Sequence, residues 1–117
     1  MASSSASLTR EDGRVVCEHL LVATRPLPRM RGLLGRAELP VNEGILLRPA
    51  GSVHTFFMRF PIDVVFLDPE EVVVGIEPSL VPWRTAGRRG AKAVVELAAG
   101  ECERRGVQVG DRLVVAA

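Results

Sequence analysis

One apolar stretch carries the groups from which catalytic and binding sites are commonly built. Residues 53–68 read VHTFFMRFPIDVVFLD and hold His54, Arg59 and Asp63 together with all four phenylalanines. A histidine oriented by a carboxylate can act as general base, and a nearby guanidinium can steady developing negative charge. His54 and Asp63 cannot meet along one straight strand, since nine steps of ~3.3 Å span roughly 30 Å. They meet only if the chain reverses near residues 58–61, where Pro61 removes a ladder donor and holds Phe60 extended. The bland alternatives are definite. His54 can be a hydrogen-bonded core or edge histidine. Asp63, set between Ile62 and Val64, is costly to bury bare, and can accept backbone N–H bonds or pair with Arg59 as a brace.

A second constellation lies further on. Trp83 is followed by Arg84, Arg88, Arg89 and Lys92, with no acidic residue between Glu77 and Glu96. Such a run can gather an anion or an acidic surface, and a Trp beside an Arg can stack a ring. The alternative is a solvated loop whose Trp packs back onto the domain. Arg25, Arg29, Arg31 and Arg36 form another basic cluster. If the two clusters share one mouth, its field is positive although the total charge is nearly zero.

Several chemistries have no signature. The chain lacks a serine elbow, a GxGxxG, a P-loop and an HExxH, so no cofactor is expected. Cys17 and Cys102 are far apart in sequence, and with two scattered histidines they make no metal-ligand set. They read as unpaired thiols in a reducing cytoplasm, and a disulfide would require neighbouring strands. Residues 1–13, MASSSASLTREDG, have no apolar core of a signal peptide, and the longest apolar runs are too short to span a bilayer. The expectation is a cytoplasmic protein with no membrane partner. A net charge of +1 argues neither for nor against nucleic acid. The fourteen Arg against one Lys nevertheless favour bidentate contacts with carboxylates and phosphates.

The elements that must position these residues are short. At 117 residues, one domain is expected, spanning 14–117 behind a disordered polar tail at 1–13. Strands are expected at 15–23, 45–47, 53–57, 62–67, 72–76, 92–97 and 112–116. The strand at 62–67 is apolar on both faces, as a central strand should be. Leu27, Met30 and Leu34 predict a short helix ended by Gly35, and residues 100–105 a single helical turn. Asp68-Pro69 marks a turn, and 78–90 a loop. The fold class is therefore mainly β with one or two short helices, a compact antiparallel barrel or sandwich of about seven short strands.

Six blocks in order, RGLLGR, EGILLRP, residues 53–68, LVPWR, AVVELAAGECERRGV and VGDRL, resemble the family called domain of unknown function 192, found in bacteria and archaea. The resemblance spans roughly residues 15–115. It implies a compact, mainly β domain and no particular reaction. The commoner family form carries Trp-Met-Lys-Asn-Thr ahead of Pro-Leu-Asp. Here residues 54–60 stand ahead of Pro61-Ile62-Asp63, so no role of that Lys or Asn passes to this chain. The resemblance also suggests an interaction subunit, since genes of the family's close relatives are often found beside secretion or pilus genes.

These readings rank as follows. First is a non-catalytic binding module whose mouth, lined by His54, Arg59, Asp63, Trp83, Arg84, Arg88 and Arg89, takes an anionic small molecule or an acidic protein surface. An interaction subunit of a secretion- or pilus-type assembly follows. A small hydrolase- or lyase-type enzyme using His54 and Asp63 is third, and nucleic-acid binding, with so thin an aromatic set, is last.

Overall fold

The computed structural model describes residues 3–24 and 37–117. Among them are nine strands: β1 Ser3–Arg10, β2 Val15–Ala23, β3 Glu43–Leu47, β4 Ser52–His54, β5 Ile62–Leu67, β6 Val73–Leu80, β7 Thr85–Gly87, β8 Ala93–Ala98 and β9 Leu113–Ala116. One short helix, α1, spans Glu101–Arg105. The helix expected around Leu27, Met30 and Leu34, and the Arg25–Arg36 cluster, lie outside the described residues.

Seven strands form one sheet in the order β6-β5-β8-β3-β2-β1-β9, and β4 and β7 form a two-stranded ribbon. Neighbours are antiparallel except β2 and β3, which run parallel. A parallel pair needs a long crossover, and the chain between Ala23 and Glu43 supplies it. The sheet curls without closing. Its edge strands touch at the single bridge Val72–Arg112, supported by Val73 N–H to Asp111 O at 2.8 Å and Leu113 N–H to Glu71 O at 3.0 Å. The architecture is thus mainly β and sandwich-like, and it stops short of a barrel.

Side-chain alternation builds two apolar clusters. On β5, Val65 and Leu67 join Leu8, Val16, Leu20 and Leu113 on one face. Ile62, Val64 and Phe66 join Ile45, Leu47, Val94 and Met58 on the other. All six residues of β5 are buried, as expected for a central strand. The ribbon packs on the second face through Val53 and Ala86. The expected turn at Asp68 forms, with its Oδ1 accepting N–H bonds from Glu70 at 2.8 Å and Val72 at 3.0 Å.

Three expectations are corrected. Within the segment expected as a tail at 1–13, Ser3–Arg10 is a strand between β2 and β9 with Leu8 fully buried. The strand expected at 53–57 ends at His54, where the chain turns away. The loop at 78–90 contains the end of β6 and all of β7, the pairing partner of β4.

Beside α1, Arg105 is buried at 8% exposure and makes a bidentate pair with Glu18, at 2.8 and 3.2 Å, and a contact with Glu101 at 3.2 Å. Glu101 also receives Arg104 at 2.6 and 2.8 Å. Hydrogen bonds from these guanidinium groups hold both carboxyls below their ordinary range. The network anchors the helix to β2.

Candidate functional site

Thr55 is the organising residue of the most unusual surface. It has no exposed area. Its N–H donates to Arg84 O at 2.8 Å, its carbonyl accepts from Trp83 N–H at 3.0 Å and Met58 N–H at 3.2 Å, and its hydroxyl donates to Val81 O at 2.7 Å. The same hydroxyl accepts from Arg84 N–H at 2.9 Å. One buried side chain thereby ties the segment after β4 to the segment between β6 and β7.

The knot holds aromatic rings outward. Phe57 and Trp83 both have φ 67°, a left-handed conformation that bulky residues rarely adopt. Phe57 is 70% exposed and Trp83 55%. Ring centroids lie 4.7 Å apart for Phe57–Trp83, 5.8 Å for Phe56–Trp83 and 5.0 Å for His54–Phe56. His54 Nδ1 accepts the Phe56 N–H at 3.3 Å. Val81, 46% exposed, extends the apolar surface. Arg59 and Arg84 are exposed immediately beside Met58 and Trp83 in the chain.

The structure distributes the sequence candidates unequally. His54, Trp83 and Arg84 come together, and Arg59 flanks them in the adjoining turn. Asp63 does not join them. It shares a face with Val65 and Leu67, on the side of the sheet away from the ribbon, and is 1% exposed. Its Oδ1 accepts Ser79 N–H at 2.8 Å and its Oδ2 accepts Cys102 N–H at 2.9 Å. The pairing with His54 is therefore not formed, and Asp63 is a brace through backbone donors, with no Arg59 contact. Both of its oxygens are committed, so Asp63→Ala is expected to lower stability by roughly 1–3 kcal/mol by orphaning those donors. Urea unfolding against Glu71→Ala checks this, and equal midpoints would contradict it.

Arg88 also leaves the site. Its guanidinium lies 5.1 Å from the Phe66 ring centroid, and Nη2 donates to Ile76 O at 3.2 Å. Gly75 leaves it room, since a Cβ there would lie 2.5 Å from Arg88 Nε. Arg89 is exposed at the far end of β7 from Trp83. The basic run is thus split by a strand.

Other reactive groups are quiet. Cys17 and Cys102 are buried free thiols. Burial pushes Cys17 up to about 11, and burial followed by the Asp63 charge pushes Cys102 up further. Among the described residues no three His, Cys, Asp or Glu side chains could hold a metal, and no helix is long and apolar enough to cross a membrane.

Sequence reasoning missed Thr55, Phe56, Phe57 and Glu96 as site or strain positions. Glu96, amid AVVELAA, carries the same warning as Asp63.

The comparisons agree with this architecture. The sequence profile of the DUF192 family, described as an uncharacterised ACR family, matches residues 7–115. The chain is 48% identical over 63 residues to UPF0127 protein PF1050 of Pyrococcus furiosus, covering 53% of each chain. It is 29% identical over 111 residues to a UPF0127 protein of Thermococcus sibiricus, covering 91% of this chain and 71% of that one. The match to the Pyrococcus protein therefore spans about half of that relative's length. Two crystal structures share the fold at 25% identity. One is a Novosphingobium aromaticivorans protein of unknown function, with TM-score 0.80 over 93% of this chain and 82% of that one. The other is a Sinorhizobium meliloti protein described as a candidate transcription regulator, with TM-score 0.81 over 94% and 91%. The chain belongs to the DUF192 family.

Proposed function

We propose that this protein is a non-catalytic binding module that docks an acidic, aromatic-bearing segment of a partner protein on Phe56, Phe57 and Trp83, with His54 at the border and Arg59 and Arg84 as cationic flanks. The observation that carries this reading is the left-handed backbone at both Phe57 and Trp83. Such conformations cost about 1–3 kcal/mol each and cluster where strain serves function. Here the strain yields little packing, since both rings remain largely in water. Aromatic and Arg side chains are the residues that dominate protein interfaces. Rings this exposed cannot enclose a small molecule, which favours a protein surface over a small anion at this place. The commitment of both Asp63 oxygens weighs against the enzyme reading. A docking module also accommodates the interaction-subunit alternative, and the free thiols fit a reducing cytoplasm.

Trp83 is the only tryptophan, so its emission reports this surface. A synthetic peptide of alternating Glu and Phe is expected to perturb it, less so as sodium chloride is raised. The same peptide with Lys for Glu should have no effect. Phe57→Gly should bind at least tenfold more weakly while its melting temperature stays level or rises, because glycine accepts φ 67° without strain. Silence toward both peptides, or an unchanged response in Phe57→Gly, would overturn the reading.

A further inference from the structure

At the opposite end of the β5–β6 hairpin from the aromatic platform lies a groove of about 410 Å³, within the range of small-molecule sites. Its cationic side is Arg48 and Lys92, and its apolar walls are Pro49, Pro69 and Ala93. Two carboxylates, Asp68 and Glu71, also border it, each with one oxygen engaged. Asp68 Oδ1 closes its own turn through two N–H bonds, and Glu71 Oε1 accepts one N–H from Arg48 at 3.1 Å. Arg48 offers five donors and this bond uses one. The Lys92 ammonium has three donors and no side-chain partner among the described residues. The groove is neutral by count of charges, yet Arg48 and Lys92 keep most of their side-chain donors free for a ligand.

We infer that this groove is a second, separate site, for a small organic anion carrying one carboxylate or phosphate on a compact apolar body. The anion sits between Lys92 and the free edge of the Arg48 guanidinium, and the body lies against Pro49, Pro69 and Ala93. A guanidinium suits a two-oxygen contact, and an ammonium supplies the point charge beside it. The inference is independent of the platform, because no residue is shared.

The test is an amide-resolved titration of the whole protein with phenyl phosphate, with benzylamine as a cation of similar body. Phenyl phosphate should produce saturable shifts at Thr24, Lys92 and Ala93, with the Trp83 indole unmoved. Benzylamine should produce none. Lys92→Gln, an exposed change that leaves the core intact, should weaken the response at least tenfold, and Arg48→Gln should do likewise. Inorganic phosphate should bind more weakly than phenyl phosphate, because it lacks the body that lies against Pro49, Pro69 and Ala93. Non-saturating shifts, shifts centred on Trp83, equal binding of benzylamine, or a Lys92→Gln response matching the parent would each overturn the inference.

Discussion

A chain lacking residues 1–13 is expected not to fold. The deletion removes β1 from between β2 and β9, and with it Leu8 and Ala6, at 0% and 5% exposure. Truncating one such leucine to alanine ordinarily costs about 2–5 kcal/mol. A domain's whole stability is typically about 5–15 kcal/mol, so losing the strand's hydrogen bonds as well should exhaust it. β9 would keep only the bridge at Val72–Arg112 and the Leu113 N–H bond to Glu71 O beside it. Arg10 also fixes the end of α1, donating to Gly106 O at 2.8 Å. Far-UV circular dichroism and amide dispersion of the truncated chain should be those of an unfolded polypeptide. A native-like amide spectrum would mean that the strand is an accessory.

Stability is expected to fall by roughly 3 kcal/mol as pH rises from about 4.5 through 7, with Glu96 as the cause. Glu96 is 6% exposed on β8, paired across to Ile45 and Val64. Burial alone pushes its carboxyl up to about 7. The folded protein therefore holds this proton more tightly than the unfolded chain does. The associated stability is complete below the ordinary carboxyl value and is lost as pH climbs through the raised one. Urea unfolding at intervals from pH 5 to 8.5 should show Glu96→Gln overtaking the parent at the alkaline end. Parallel curves would show that Glu96 is solvated or paired when folded.

The strands at the centre were legible because their physics is local. Residues 62–67 are apolar on both faces, and only a strand covered on both sides satisfies that pattern. The strand at Ser3–Arg10 was hidden by composition. Serine and alanine supply little β-propensity, although Ala6 and Leu8 already alternate with Ser7 and Thr9. Thr85–Gly87 was hidden for a different reason, since three residues become a strand only when Ser52–His54 lies opposite. For the site, Trp83 and Arg84 were recognisable from residue type, and His54 from its aromatic surroundings. Asp63 was recognisable as buried and in need of partners, but the partners, Ser79 and Cys102, are distant in sequence and set by tertiary packing. The same holds for Thr55. A threonine between a histidine and a phenylalanine does not announce that its hydroxyl will gather Val81 and Arg84.

Selection of random displayed peptides on the wild-type protein tests the central claim most directly. Enriched peptides should combine Asp or Glu with aromatic or large aliphatic residues. They should shift Trp83 emission, and should fail to bind Phe57→Gly although that variant is at least as stable as the parent. Enrichment of peptides that bind both proteins equally, or that leave Trp83 unperturbed, would contradict the claim that the strained aromatic surface is where this protein meets its partner.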